Sequence, residues 1–264
     1  MDFEGKVFWI TGASSGIGRA LAMACAERGA IVIASSNDPD GISRLIESCG
    51  KKGKNIIPAI FDLGASDGIE VMVARTLGLT GRIDYLVNLG GISQRATIGE
   101  TPLWIDRKLM EINYFGTIAL SKAVLPYMIK QGHGHILVTS SIAGRFGFPL
   151  RSAYSASKQA LHGFIETLHL ENKRNNVRGS AIIPGRVKTN ISLNALDAKG
   201  NARGVMDEGQ AGAMSADKAA LIILRGIRRN KREILVGRSE LIMLYIRRYF
   251  PWLFFIIATK IKPT

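Results

Sequence analysis

The sequence predicts a doubly wound α/β fold: one domain built on a parallel sheet of about seven strands, with helices on both faces. Three observations carry this. Short runs rich in Val and Ile alternate with longer stretches of helical periodicity, the pattern of βαβ units around a parallel sheet. A glycine cluster stands between the first such run and the first helix. The 264 residues suffice for one large core, and no internal repeat, low-complexity segment or linker divides them.

The first run, VFWIT at 7–11, is apolar up to its closing Thr11, as suits a strand covered on both faces. A helix over 18–28 follows the glycines, then the strand IVIAS at 31–35 and a helix over 39–48. IIPAIF at 56–61 is the third strand and 67–77 the next helix. IDYLVN at 83–88 leads into a long helical pattern over 102–131, and HILVTS at 135–140 into another over 153–174. RGSAII at 178–183 is the sixth strand. Ser215 is a fitting N-cap for a helix over 215–229, with Asp217 in its first turn, and EILVG at 233–237 is the seventh strand. Residues 186–214 break the rhythm: Gly- and Asn-rich and long for a connection, they read as a lid or binding loop, or as a stretch without fixed structure. The domain thus occupies 1–240, and 241–264 form an apolar, basic extension.

The net charge is +14, and from Leu221 onward ten Lys or Arg face two acids, so +8 of it lies in the last sixth of the chain. Such an excess suggests an anionic surface as partner, lipid head groups or nucleic acid, with a merely solvated basic face as the alternative. No nucleic-acid motif accompanies it, so a nucleic-acid partner is not expected. Two cysteines, Cys25 and Cys49, match no metal spacing and give no disulfide framework. His133, His135, His162 and His169 also lack ligand spacing and are expected on loops and helix surfaces. The opening MDFEGKVFWITG has no secretory pattern, so a cytoplasmic protein, or one peripheral at a membrane surface, is expected.

Two short motifs point to chemistry. TGASSGIG at 11–18 places Gly12, Gly16 and Gly18 where a tight turn meets a helix N-terminus, a setting whose free N–H groups suit a pyrophosphate. YSASK at 154–158 puts Tyr154 and Lys158 on one helix face, and of six tyrosines only this one has a lysine four residues later. A phenol has a reference pKa near ~10, and an adjacent ammonium favours its ionised form, which makes the pair a candidate acid/base.

With these motifs the chain resembles the single-domain TGxxxGxG/YxxxK branch of the short-chain dehydrogenase/reductase family over roughly residues 3–240. The resemblance implies a Rossmann-type fold, a nicotinamide cofactor and a catalytic set of Asn113 (in INYFG), Ser141 (ending VTSS), Tyr154 and Lys158. It also implies cofactor contacts at Gly12, Ser14, Ser15, Gly16, Ile17 and Gly18, at Asp62 and Leu63 for the adenine, and at Asn88 and Gly90 in NLGG, where Leu89 departs from the family's NNAG. Pro184, Gly185, Val187 and Thr189 of PGRVKT would flank the nicotinamide, while Tyr154 and Lys158 would also meet the cofactor. At the end of the second strand the discriminating acid aligns with Ser36; Ser36 and Asn37 can donate to a 2′-phosphate, so NADP(H) is preferred. NAD(H) stays open, because a shifted loop would bring Asp38 to the ribose.

The implied activity is hydride transfer between NADP(H) and a secondary alcohol or ketone, hydrophobic if the apolar extension borders the cleft; the alternative is a silent dinucleotide-binding sensor or scaffold. A homo-dimer or homo-tetramer is expected from the helices at 102–131 and 153–174. In the extension the uninterrupted run Tyr249–Ala258 is ten residues, about half of a membrane span. Pro251 is placed to open a short helix there, with Trp252, Phe254 and Phe255 entering lipid while Arg247, Arg248, Lys260 and Lys262 meet head groups. The competing expectation is that 241–264 pack on the domain or on a second subunit and cover the cleft.

Overall fold

The computed structural model describes residues 3–65, 67–207 and 212–260. Lys262 lies outside these.

Seven strands form one sheet in the order β3-β2-β1-β4-β5-β6-β7, every neighbouring pair parallel. They are β1 (Val7–Thr11), β2 (Ile31–Ser36), β3 (Ile56–Ile60), β4 (Tyr85–Asn88), β5 (Gly134–Thr139), β6 (Val177–Pro184) and β7 (Glu233–Val236). The alternation of side chains along β1 shows why an all-apolar run was needed. Phe8 and Ile10 face a core shared with α1 (Gly16–Glu27) and α7 (Ala216–Arg228). Val7 and Trp9 face a second core with α3 (Ile69–Thr80), α5 (Gly116–Lys130) and α6 (Ser152–Glu171). Trp9 is buried without penalty because its indole N–H donates to Ser35 Oγ at 2.7 Å.

The helices follow the sequence pattern with one difference. The stretch expected as a single helix over 102–131 comprises α4 (Leu103–Met110), a π-helical turn at Glu111–Phe115 and α5. Wide turns of this kind leave backbone groups free for side-chain partners and are common at functional sites. α2 (Pro39–Ser48) starts with proline in its first turn and is capped by Asp38, whose carboxylate accepts from Gly41 N at 2.9 Å. Ser215 caps α7, its hydroxyl accepting from Lys218 N.

Asp84, just before β4, ties three strands together. Its buried carboxylate accepts from Val7 N at 2.8 Å and from Arg82 Nε at 3.1 Å, and meets His133 Nε2 at 2.9 Å. Two expectations about histidines need correction. His135 lies within β5 and is buried, its Nε2 2.7 Å from Ser180 Oγ. His162 on α6 is also buried, 2.7 Å from Ser140 Oγ. Helical and strand periodicity, not ligand spacing, decides their burial. Desolvation pushes His135 down to about 3 and His162 to about 4, so both are neutral hydrogen-bonding groups at physiological pH.

After β7 come α8 (Ile242–Tyr249) and α9 (Pro251–Ala258), with Pro251 at the start of α9 as expected. Among the described residues no helix is long and apolar enough to cross a membrane.

Candidate active site

In a parallel sheet all strands end on one rim, and a crevice opens there where strand order reverses, here between β1 and β4. Thr11 and Asn88 are partners in register at this point, and Thr11 Oγ1 accepts from both Leu89 N and Gly90 N at 3.0 Å. The cleft above has a volume of about 1050 Å³.

One end of the cleft is the glycine turn. Gly12 has φ +65°, and a Cβ there would stand 2.9 Å from the Cα of Gly90, so this left-handed, close-packed position demands glycine. A Cβ on Gly18 would run into the carbonyl oxygen of Gly12. Ser15 is the N-cap residue of α1, yet its side chain caps nothing, and no acid occupies the first turn. The N-terminal amides of α1 therefore remain available to an anion, with Ser14, Ser15, Gly16 and Ile17 on the cleft wall. These features fit a dinucleotide pyrophosphate.

Ser36, Asn37, Asp62 and Leu63 line the next part of the cleft. Ser36 Oγ is 2.9 Å from Ser14 Oγ and accepts from Asp38 N at 3.1 Å. Asn37 Nδ2 donates to Asp62 Oδ2 at 3.3 Å, and Gly64 N donates to Asp62 Oδ1 at 2.8 Å. Arg19 and Arg44 also line this part, and the sequence reading did not single them out. Their signal was there, a cation following the glycine turn and another one helical turn into α2, but only the fold brings them to the cleft wall, where Arg44 lies 3.7 Å from Asp38 and Arg19 donates to Ser48 Oγ at 2.8 Å.

At the other end Ser141, Tyr154 and Lys158 converge. Ser141 caps a short 3₁₀ turn at the end of β5, accepting from Ala143 N at 3.2 Å, and its side chain hydrogen-bonds to that of Tyr154. Lys158 Nζ donates to Thr139 O at 2.9 Å and sits 5.8 Å from the centroid of the Tyr154 ring. The expected acidification of the phenol by this ammonium differs from what the side chains do. Burial raises the Tyr154 pKa, and the opposing influences are the Ser141 hydrogen bond and the charges of Arg95 and Arg151. Lys158, itself desolvated, is pushed down to about 8.

Pro184, Gly185, Val187 and Thr189 border the same end. Two of the sequence-derived residues stand behind the wall instead. Asn88 is buried as a strut, donating to Ser121 Oγ and Leu137 O at 3.2 Å each. Asn113, on the π-helical turn, is fully buried; its Oδ1 accepts from Ile92 N at 2.8 Å and its Nδ2 donates to Ile92 O and Ser157 Oγ at 3.0 Å. It thereby pins the turn to α6 one residue before Lys158.

The described part of 186–207 packs over the cleft. Leu196 N donates to Ser93 O at 2.9 Å, and Asn190, Ile191 and Leu196 line the wall. Its Asp207 binds three guanidinium groups: Arg95 through two bonds, at 2.7 and 3.2 Å, and Arg151 and Arg203 at 3.0 Å each. Asp207 was invisible to sequence reasoning because 112 residues separate it from Arg95. The extension also reaches the cleft: Met243, Phe254 and Ala258 line it. Phe254 is buried with its ring centroid 4.8 Å from that of Phe146, so it is an inward residue and not one of the lipid-facing aromatics expected.

Known proteins match this chain throughout its length. The family model described as short chain dehydrogenase matches residues 6–199. A dehydrogenase/reductase SDR family protein 7-like from Drosophila melanogaster is 40% identical over 98% of this chain and 81% of its own length. Dehydrogenase/reductase SDR family member 7B from Xenopus tropicalis is 38% identical over 96% of this chain and 84% of its own length. A crystal structure of a short chain dehydrogenase/reductase from Burkholderia phymatum in complex with NAD has the same fold, with a TM-score of 0.84 at 24% identity, over 100% of this chain and 98% of that one. A short-chain dehydrogenase from Streptomyces avermitilis gives a TM-score of 0.81 at 27% identity, over 97% and 98% of the two chains.

Proposed function

Because the chain belongs to the short-chain dehydrogenase/reductase family and is an oxidoreductase of that type, we propose that it transfers a hydride between NADP(H) and a hydrophobic secondary alcohol or ketone, with Tyr154 as general acid/base. The observation that carries this reading is the meeting of Ser141, Tyr154 and Lys158 at one end of a cleft whose other end is the glycine turn.

The nicotinamide supplies or accepts the hydride, and proton handling is left to the chain. In reduction Tyr154 Oη gives its proton to the carbonyl oxygen; in oxidation it takes the hydroxyl proton back. Ser141 donates a hydrogen bond to the same oxygen as negative charge develops on it. Arg95 and Arg151 supply positive charge, and Ser141 a hydrogen bond, that favour the phenolate against the burial that opposes it. Asn113 holds the backbone of the π-helical turn and of Ile92 so that α6 presents both catalytic side chains.

The preference for NADP(H) is supported by Ser36, Asn37, Arg19 and Arg44 around one part of the cleft. The carboxylate of Asp38 is engaged with Gly41 N and lies 3.7 Å from Arg44, which leaves it poorly available to a ribose. A hydrophobic substrate is supported by Phe146, Phe148, Leu196, Met243 and Phe254 along the catalytic end. We further read the protein as a homo-oligomer joined through α4, α5 and α6, whose outer faces carry the exposed Leu103, Tyr127 and Leu170, and as peripheral at a membrane through 241–264.

The test is NADPH oxidation against a panel of ketones. Tyr154→Phe should keep its fold and its nucleotide affinity while turnover falls by about a hundredfold to ten-thousandfold. Near-normal turnover would show that another group is the acid. Nucleotide binding without turnover of any ketone by the unmodified protein would favour the sensor or scaffold.

A further inference from the structure

We propose that the outer face of α8 and α9 docks on an anionic lipid bilayer and turns the mouth of the catalytic cleft toward the lipid, so that an apolar substrate reaches Tyr154 without crossing water. This rests on the oxidoreductase reading above and adds to it the route by which substrate arrives.

The two helices have opposite faces with different neighbours. Inward, Met243, Phe254 and Ala258 are part of the cleft wall, and Phe254 is anchored on Phe146. Outward, Tyr245, Tyr249, Phe250, Trp252, Phe255 and Ile256 are each between 49% and 65% exposed. Large apolar side chains exposed singly are ordinary, whereas six within twelve residues (245–256) form a contiguous patch of the kind that marks an interaction surface. Along this stretch of chain the charges are all of one sign. Residues 241–260 contain Arg247, Arg248 and Lys260 and no acid. Arg247 lies over the rings of Phe254 and Phe255, at 5.7 and 5.5 Å, and Arg248 is 5.8 Å from the Tyr249 ring. Aromatic rings interleaved with guanidinium groups suit the boundary between head groups and acyl chains, where the rings enter and the cations meet phosphate or carboxylate. Each helix has eight residues, roughly 12 Å, so the pair lies in the interface and does not span it. A second copy of the chain is a poorer occupant, because two-fold contact through this face would bring together two sets of Arg247 and Arg248 with no acid in 241–260 to pair them.

The experiment reads binding without turnover, so its failure leaves the oxidoreductase reading standing. The full chain is sedimented with phosphatidylcholine vesicles that either contain or lack phosphatidylserine. It should pellet with the anionic vesicles, be released as salt is raised, and show quenching of Trp252 by brominated acyl chains. The double substitution Trp252→Ser/Phe255→Ser, confined to exposed positions, should weaken vesicle binding about tenfold or more with NADPH affinity unchanged. Orientation is read from single fluorescent labels in a Cys49→Ser background. A label at Ala258→Cys, on the cleft wall, should be quenched by brominated lipid, and one at Glu47→Cys on α2 should not.

The proposal is overturned if the unmodified protein stays in the supernatant with anionic vesicles at low salt, or if the double variant pellets as before. Equal quenching of the two labels would overturn the orientation. Dissociation of a lipid-free dimer into monomers on making the double substitution would assign the face to a second copy instead.

Discussion

Burial pushes the Lys158 ammonium down to about 8, and in the folded protein its donated bond goes to the carbonyl of Thr139. The unfolded chain, with Lys at about 10.5, holds this proton more tightly, so folding stability contributed by this group rises with pH between about 8 and 10.5 and is at its lowest below that window. At pH 7 Lys158→Met should therefore stabilise the fold by about 2 kcal/mol, roughly 3 from the relieved desolvation less about 1 for the lost hydrogen bond, while abolishing turnover. Urea unfolding of the two proteins checks this, and a less stable variant would refute it. A stabilised variant with turnover lost is the outcome expected of a group kept for the proposed chemistry at the expense of stability. The guanidinium of Arg95 acts in the same place in the opposite sense, since its charge lowers a phenol pKa that burial raises. Arg95→Gln should accordingly move the rise of alcohol-oxidation rate to higher pH, and an unmoved profile would show that Arg95 does not act on Tyr154. Arg44→Ala should weaken NADPH binding about tenfold and leave NADH binding unchanged, measured by fluorescence titration.

At the scale of elements, the carboxylate of Asp84 does the work of a staple between β1, β4 and the approach to β5. Burial by itself would raise its pKa, yet the Val7 N–H, His133, Arg82 and Lys6 together hold it below the usual carboxylate value. Such a group stabilises the fold above the ordinary Asp range near ~4 and loses that contribution as pH falls through its lowered value. Asp84→Asn should cost about 1–3 kcal/mol at neutral pH and flatten the loss of stability on the acid side, read from urea midpoints across pH. The strands of this sheet were legible in the sequence because most are short, nearly continuous apolar runs set between helical patterns, as a parallel sheet covered on both faces requires; β3, at the edge, is exposed at Pro58 and Ile60. The glycine turn and YSASK were legible because their chemistry is local. The π-helical turn at Asn113 was not, since nothing in the helical pattern of 102–131 marks a change of pitch whose cause is a set of bonds to Ile92 and Ser157. Nor was the grip of three arginines on Asp207, or the inward turn of Phe254, because both depend on partners far along the chain.

For the whole molecule, the informative contact is between the first helix and the last one of the domain. α1 buries Ala20, Ala22 and Ala24 in the core to which α7 contributes Ala219, Ala220, Ile223 and Ile227, and the two helices pack directly on each other. Small residues on α1 allow this close approach, and Leu21 and Cys25 of the same helix join Phe8 and Ile10 of β1 in that core. On the ribosome β1 and α1 emerge before α7 and must wait for residues beyond Ser215 before this side of the domain can close. Translation arrested at that point would leave a half-covered sheet for chaperones and proteases to find.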